Sequence, residues 1–307
     1  MARFQLEQLR TFRAVVDEGT LEAAARSLIL TPSAVSQRLK AMEDAAGQIL
    51  LKRTNPVRAT PAGEAVLRFA RQVRQLESDA LRELGGGREG PVVPIPLVVN
   101  ADSLSTWVLP ALASLPVDAR VYFELFREDE HHSTQLIRDG TVMAAVTATP
   151  EPIQGCSVEP LGALRYRAVA SPGYISTWWP DGPAFTTDSA APVMDFDRKD
   201  DLQGGFFRRL TGAELTAPRN YVPSSGEYAE AIRLGLGWGV LPEQQCLVGL
   251  RNGELVELAP AHPVDVSLYW QRWKINSPVL TLLSDAVRET ASRQLRQPDQ
   301  DINEKNS

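Results

Sequence analysis

Residues 23–43, AAARSLILTPSAVSQRLKAME, read as a short helix, a tight turn and a second helix. The second helix starts at Thr31-Pro32. A threonine hydroxyl can accept a hydrogen bond from a free N–H of the first helical turn, and proline at the first position gives up an N–H that has no helical partner anyway. Ala34, Val35, Leu39 and Met42 recur at helical spacing and can face inward. Thr31, Ser33, Ser36, Gln37, Arg38 and Lys40 are left on the more exposed side. Two helices this short bury little except against each other and one neighbour. Their outer side chains are of the kinds that hydrogen-bond to base edges and phosphates. The pattern points to a helix-turn-helix for double-stranded DNA.

The flanking sequence completes a small head. Leu6, Leu9, Phe12, Val15 and Val16 place a helix over residues 5–18, Gly19 ends it, and Thr20 caps the next, over 21–28. The third helix runs to about residue 46. In ILLKRTNPVRATPAGEAVL, residues 49–67, strand-like pieces flank an Asn-Pro turn, which predicts a β-wing carrying Lys52, Arg53 and Arg58. Thr60-Pro61 repeats the helix-start signature. Along the long helix that follows to residue 84, Val66, Phe69, Val73, Leu76, Ala80 and Leu84 recur at near-heptad spacing. One such helix on a thin domain needs a partner, and a second copy of the chain is the simplest.

Charge separates this head from the rest. Residues 1–84 hold 13 Lys/Arg against 10 Asp/Glu, whereas the whole chain is at −6, so the remainder is acidic. A basic head on an acidic body fits a DNA-binding module joined to something else. No apolar run approaches the roughly 18 residues that span a bilayer. The N-terminus MARFQLEQLR lacks a signal-peptide core. The two cysteines, Cys156 and Cys246, suit a reducing compartment and read as unpaired buried thiols. Together these features predict a cytoplasmic protein without a membrane partner.

After Gly85-Gly86-Gly87 and a proline-rich linker, strand and helix patterns alternate. Strands are expected at 95–101, 121–126 and 142–147, with helices at 105–115 and 133–140 between them. Residues 166–170 could cross to a second α/β unit that includes strands at 192–197, 220–225 and 239–242 and a helix at 227–237. Residues 266–273 cross back, and a last helix over 278–295 returns to the first unit. The fold class is α/β, with a mainly α winged helix-turn-helix head. The expected organisation is a DNA-binding domain at 1–60, a linker and dimerisation helix at 61–84, a hinge at 85–94, a first lobe from 95–165 and 268–296, a second lobe at 166–267, and a disordered tail at 297–307.

These motifs resemble the LysR-type transcriptional regulators. AAARSL, TPSAVSQRLKAMED and the LLKRT…ATPAGE wing carry the resemblance in the head. VNADSLSTWVLPALA, FREDEHH, FDRKDDLQ, VPSSGEYAEAIRLGLGWGVLPE and LYWQRWKI are similar to the ArgP/LysG branch, regulators of lysine and arginine export that include proteins once called chromosome-initiation inhibitors. The resemblance implies a two-lobed effector domain like the type-II periplasmic binding proteins. It also implies a homodimer or homotetramer on operator DNA, contact with RNA polymerase, activation of a basic-amino-acid exporter gene, and L-lysine, L-arginine or L-histidine as effector, with no cofactor.

At the DNA, Ser33, Ser36 and Gln37 are the candidates for base edges. Arg38 could read a guanine or clamp a phosphate, and Lys40, Lys52, Arg53 and Arg58 suit phosphates. Ligands of two-lobed α/β folds bind beyond the C-terminal strand ends. There stand Asn100, Asp102, Ser103, Ser105, Glu128, Asp129, Glu130, Thr147, Asp197, Ser224 and Ser225. Ser103, Ser224 and Ser225 are expected to receive the effector's α-carboxylate. Asp102, Glu128, Asp129 and Asp197 are expected to face its cationic groups, with Trp107 as a wall or a stacking surface. Helix-start Asp and Ser are as often plain caps, and 128–130 could be a solvated acidic run.

His131-His132 lacks a third ligand at metal spacing, so no metal is expected. No Ser-His-Asp or phosphate-loop pattern occurs, so no catalytic residue is assigned. Two other readings stay open. One is a LysR-type regulator of another operon with a different effector. The other is a solute-binding protein or enzyme on the two-lobed fold.

Overall fold

The computed structural model describes residues 4–84, 93–127, 130–183, 185–186 and 190–298. The head is built from α1 (Leu6–Glu18), α2 (Leu21–Ser27) and α3 (Pro32–Ala46). Its ends follow the local chemistry. Gln5 and Gln8 form a reciprocal capping box, and Gly19 closes α1 in the left-handed conformation at φ 73°. The Thr20 and Thr31 hydroxyls accept the N–H groups of Ala23 and Ala34 at 3.1 and 3.2 Å. Phe12, Val15, Val35, Met42 and Leu50 meet in a small core that α4 (Pro61–Leu84) closes with Leu67 and Ala70.

Between α3 and α4 lies the wing, β1 (Leu51–Lys52) against β2 (Arg58–Ala59). Gly63 lets the two elements meet: a Cβ built there would lie 2.0 Å from the Leu50 carbonyl oxygen. Val66 and Val73 pack against the head's own core, which corrects their assignment to a dimer seam. Phe69, Leu76 and Leu84 stay exposed on α4.

α4 also leans on the body. Arg68 Nη1 donates to the Arg138 carbonyl at 2.8 Å. Arg71 Nη1 donates to the Asp139 carbonyl and Thr141 Oγ1 at 3.1 and 2.9 Å, while its Nη2 reaches Asp17 on α1 at 2.6 Å. Gly140, at φ 80°, makes the approach possible, because a Cβ there would lie 2.9 Å from the Arg68 Cα.

The body begins with β3 (Val93–Val99), which leads into α5 (Ala101–Ser103), a π-helical turn (Leu104–Val108) and α6 (Leu109–Ala113). A single helix over 105–115 was expected; it starts earlier and contains a wide turn. β4 (Val121–Phe126) and β5 (Ala144–Thr147) flank β3 in parallel, joined by α7 (Glu130–Arg138). The crossover strand expected at 166–170 is much longer: β6 runs from Cys156 to Ala170. It enters the second lobe, made of α8 (Pro172–Trp178), β7 (Val193–Asp195), α9 (Leu202–Thr211), β8 (Arg219–Tyr221), α10 (Ser225–Arg233), β9 (Gly239–Pro242), α11 (Glu243–Asn252) and β10 (Val256–Glu257). β11 (Val264–Trp273) returns antiparallel to β6 and pairs with β5, and α12 (Pro278–Gln294) packs on the first lobe. Of the expected hinge and tail, residues 85–92 and 299–307 lie outside the described residues. No helix among the described residues is long and apolar enough to cross a membrane.

The Gly63 contact gives a direct test of how the head is closed. Gly63→Ala forces the start of α4 away from Leu50, an overpacking that costs about 1–3 kcal/mol. The expected outcome in thermal unfolding of the full chain is a head transition lowered by several degrees. An unshifted transition would show that the wing and α4 adjust freely.

Candidate functional site

α3 presents its polar side outward. Ser33, Ser36, Gln37 and Lys40 are exposed on it, and Lys52, Arg53 and Arg58 are exposed on the adjacent wing. Thr31 is exposed too, but its hydroxyl caps α3 and lies 3.0 Å from Ser33 Oγ. Arg38 behaves differently from the sequence reading. It is half-buried and turned onto α1, with Nη1 donating to Thr11 Oγ1 at 3.2 Å and 3.7 Å from Glu7 Oε2. Its guanidinium braces α3 against α1.

A cleft of about 650 Å³ opens between the two lobes. A groove of about 730 Å³ lies elsewhere, on the second lobe between α8 and the end of α10. The interlobe cleft is the one at the strand ends, where the topology places ligands. Asn100, Asp102 and Arg127 line it from the first lobe. Asp197, Lys199, Asp200 and Gln203 line it from the second, with Tyr166 of β6 and Tyr228 of α10. Of the sequence candidates, Asn100, Asp102 and Asp197 are therefore brought together.

Asp102 is the most heavily engaged of these. Tyr166 donates its hydroxyl to Oδ2 at 2.8 Å, and Ser225 donates to Oδ1 at 2.7 Å. Burial raises the Asp102 carboxyl above the usual carboxylate range, and the two hydroxyl bonds oppose that shift. Ser105 Oγ lies 2.9 Å from Ser225 Oγ, and Gln245 Nε2 donates to both at 3.0 and 2.9 Å. Asp102 and Ser105 belong to the first lobe, Ser225 and Gln245 to the second, so this network bridges the lobes.

Other candidates are displaced from the cleft by what they already do. Ser225 and Ser105 are held in the bridge, so neither is free to receive a carboxylate. Ser103 is fully buried, and its N–H is taken by the Asn100 side chain at 2.8 Å. Ser224 donates to the Glu227 carboxylate. Thr147 is buried and accepts the Thr149 N–H at 2.7 Å. Trp107 is fully buried in the core of the first lobe, which corrects its reading as a pocket wall. Asp197 lines the cleft, yet its Oδ1 also accepts the N–H groups of Lys199 and Asp200 at 2.7 and 3.0 Å. Glu128 and Asp129 lie outside the described residues. Glu130 opens α7, and its side chain, like those of His131 and His132, is outside the description.

The sequence reading passed over Arg127, Tyr166, Lys199, Asp200, Gln203 and Tyr228. Asp200 and Gln203 stood within a quoted segment, three to six residues beyond Asp197. The turn that Asp197 caps is what carries them into the cleft. Cys156 and Cys246 are buried and unpaired, and burial pushes their thiols up to about 11 and about 12. They stay protonated and unreactive at neutral pH.

The Asp102 shift has a measurable consequence. Because its folded-state pKa lies above the unfolded one, the native protein holds this proton more tightly. Its contribution to stability therefore falls as pH rises through the window between the two values. Asp102→Asn removes that loss. The melting temperature of the variant relative to wild type is expected to climb as pH rises from about 4. A difference independent of pH would contradict the assignment.

The chain matches the family model for the bacterial regulatory helix-turn-helix protein, lysR family, over residues 6–64, and that for the LysR substrate binding domain over 96–292. It is 39% identical over 290 residues to the lysine export transcriptional regulatory protein LysG of Corynebacterium glutamicum, covering 94% of this chain and 98% of that one. Among solved structures, ArgP from Mycobacterium tuberculosis superposes with a TM-score of 0.87 at 40% identity, covering 94% of this chain and 98% of that one. Full-length LysG from C. glutamicum with bound effector Arg superposes with a TM-score of 0.82 at 38% identity, over 96% and 100% of the two chains. With its winged head on a two-lobed body, the chain belongs to the LysR family of bacterial helix-turn-helix transcriptional regulators.

Proposed function

We propose that this chain is a cytoplasmic activator of a basic-amino-acid exporter gene, and that lysine, arginine or histidine bound between its lobes is the signal. The observation that carries the reading is the charge layout of the cleft. Asp102, Asp197 and Asp200 line it together with Arg127 and Lys199. A basic amino acid is a zwitterion with one further positive charge, and it needs both kinds of partner. The relatives named for lysine export and the relative solved with arginine support the same ligand class.

The residue roles follow from charge and from place in the cleft. Arg127 and Lys199 suit the α-carboxylate in place of Ser103, Ser224 and Ser225. Asp197 and Asp200 suit the cationic groups: each accepts backbone N–H bonds, and a carboxylate has acceptor capacity for more. Asp102 adds negative charge from the opposite lobe. Closing the cleft on the ligand would draw the two lobes together along the bridge that Asp102, Ser105, Ser225 and Gln245 already form.

The head then reads operator DNA as a homodimer or homotetramer. Phe69, Leu76 and Leu84 leave α4 with an exposed apolar stripe that a second α4 covers. Ser33, Ser36 and Gln37 face base edges, and Lys40, Lys52, Arg53 and Arg58 face phosphates. An activator so placed works by contact with RNA polymerase.

Titration calorimetry with lysine, arginine, histidine and an aromatic carboxylate tests the signal. Binding to at least one basic amino acid is expected, and binding to the carboxylate alone would refute the reading. Gel shifts on the upstream DNA test the head. Gln37→Ala should weaken binding about tenfold or more while leaving effector affinity unchanged, since a lost bidentate base contact costs about 1–3 kcal/mol. Lys52→Ala should lower affinity for all sequences alike and reduce the salt slope by about one.

A further inference from the structure

Gln203 lines the cleft although it is only 1% exposed. The two ends of its amide are not equivalent. Nε2 donates to the Tyr228 hydroxyl oxygen. That hydroxyl carries a single proton, which it gives to the Met194 carbonyl at 3.0 Å. The Tyr228 oxygen can therefore only accept from Gln203. Turning the amide end for end would set its carbonyl against the Tyr228 lone pairs. The hydrogen bonds run one way, from Gln203 to Tyr228 to Met194.

Tyr228 cannot move to relieve this order. It is buried at 5% exposure, and Gly239 packs so closely that a Cβ there would lie 2.4 Å from the Tyr228 hydroxyl. What remains is Gln203 Oε1, which is buried and has no hydrogen-bond partner. An unpaired buried acceptor is a standing cost that only a donor relieves.

We propose that Gln203 Oε1 receives a cationic nitrogen of the bound effector, and that the bonds through Tyr228 to Met194 lock it as an acceptor. The proposal rests on the cleft being the basic-amino-acid site. Ammonium and guanidinium groups bring the N–H donors this oxygen lacks. A carboxylate or phosphate placed here would bring lone pairs against lone pairs. Asp200, also lining the cleft, supplies charge without such directionality. Gln203 thus sets specificity at one point of the cleft, against anionic effectors and in favour of cationic ones.

The test is calorimetry with lysine and arginine on the full-length protein and two variants. Gln203→Met keeps the shape and removes the acceptor; Gln203→Glu keeps an oxygen at the same place. Gln203→Met is expected to lose about tenfold or more in affinity, as for a hydrogen bond to a charged group, and Gln203→Glu to stay within about threefold of wild type. Ligand-free melting is expected to fall in both variants, because each loses the Nε2 bond to Tyr228, and further in Gln203→Glu, whose second oxygen meets the Tyr228 lone pairs. Wild-type affinity in Gln203→Met would overturn the proposal. Equal losses in both variants would also overturn it, by showing that Gln203 only braces Tyr228. If wild type itself binds no basic amino acid, the reading of the cleft fails and takes this role with it, a result distinct from either variant outcome.

Discussion

Two strands serve both lobes of the body. β6 and β11 pair antiparallel from Tyr166 against Val264 to Cys156 against Trp273. β11 also completes the first lobe's sheet through β5, and β6 completes the second lobe's through β9 and β10. The backbone bonds of this ladder, which slips by one residue at Leu161, hold only while both lobes share it. The lobes can therefore rotate about the shared strands but not drift apart. Tyr166 stands on one of those strands and donates to Asp102, so the cleft is tied to the same axis. At Gly162, φ 117°, β6 meets the end of α12. Ala163 and Arg296 exchange backbone bonds of 2.9 Å there, and the last helix is fixed to the shared pair.

What crosses the cleft is polar. A carboxylate, two serine hydroxyls and a glutamine amide link the lobes through bonds that water could equally satisfy. Such bonds contribute about 0.5–1.5 kcal/mol each between neutral groups and about 1.5–3 kcal/mol to an ionised carboxylate. The lobe cores, by contrast, hold fully buried tryptophans such as Trp270 and Trp273. Two apolar lobe interiors are thus joined across the cleft by a polar seam.

The head was legible in the sequence because its signals are local. Thr31-Pro32, Gly19 and the spacing of Val35, Leu39 and Met42 each fix their own few residues, and the observed caps and core follow them. The body was legible as alternating α/β and no further. Its short strands β7, β8 and β10 take their place from partners far along the chain, which no local pattern reveals. Of the candidate site, Asn100, Asp102 and Asp197 meet in the cleft, while other candidates are engaged elsewhere. Ser225 and Arg38 have the right chemistry for a ligand or for DNA, but each spends it on a residue distant in sequence, and Ser103 is buried away from solvent. Gln203 lacked any signal of its own: its meaning lies in the direction of a hydrogen bond to Tyr228. Trp107 shows the same limit from the apolar side, since helical spacing cannot say which face meets the core when the helix contains a π turn.

Arg68 and Arg71 hold the body through two main-chain oxygens, those of Arg138 and Asp139, and through the Thr141 hydroxyl and the Asp139 carboxylate. The two main-chain contacts survive a change of side chain at Arg138 or Asp139, provided Gly140 keeps its place. Length is another matter. An α-helix turns about 100° per residue. One residue inserted in α4 between Leu67 and Val73 would turn everything after it by about 100°, so the face that closes the head core would be split into two parts out of step. The same stretch of α4 thus sets the head's core and the head's place on the body, and its length fixes the two in step.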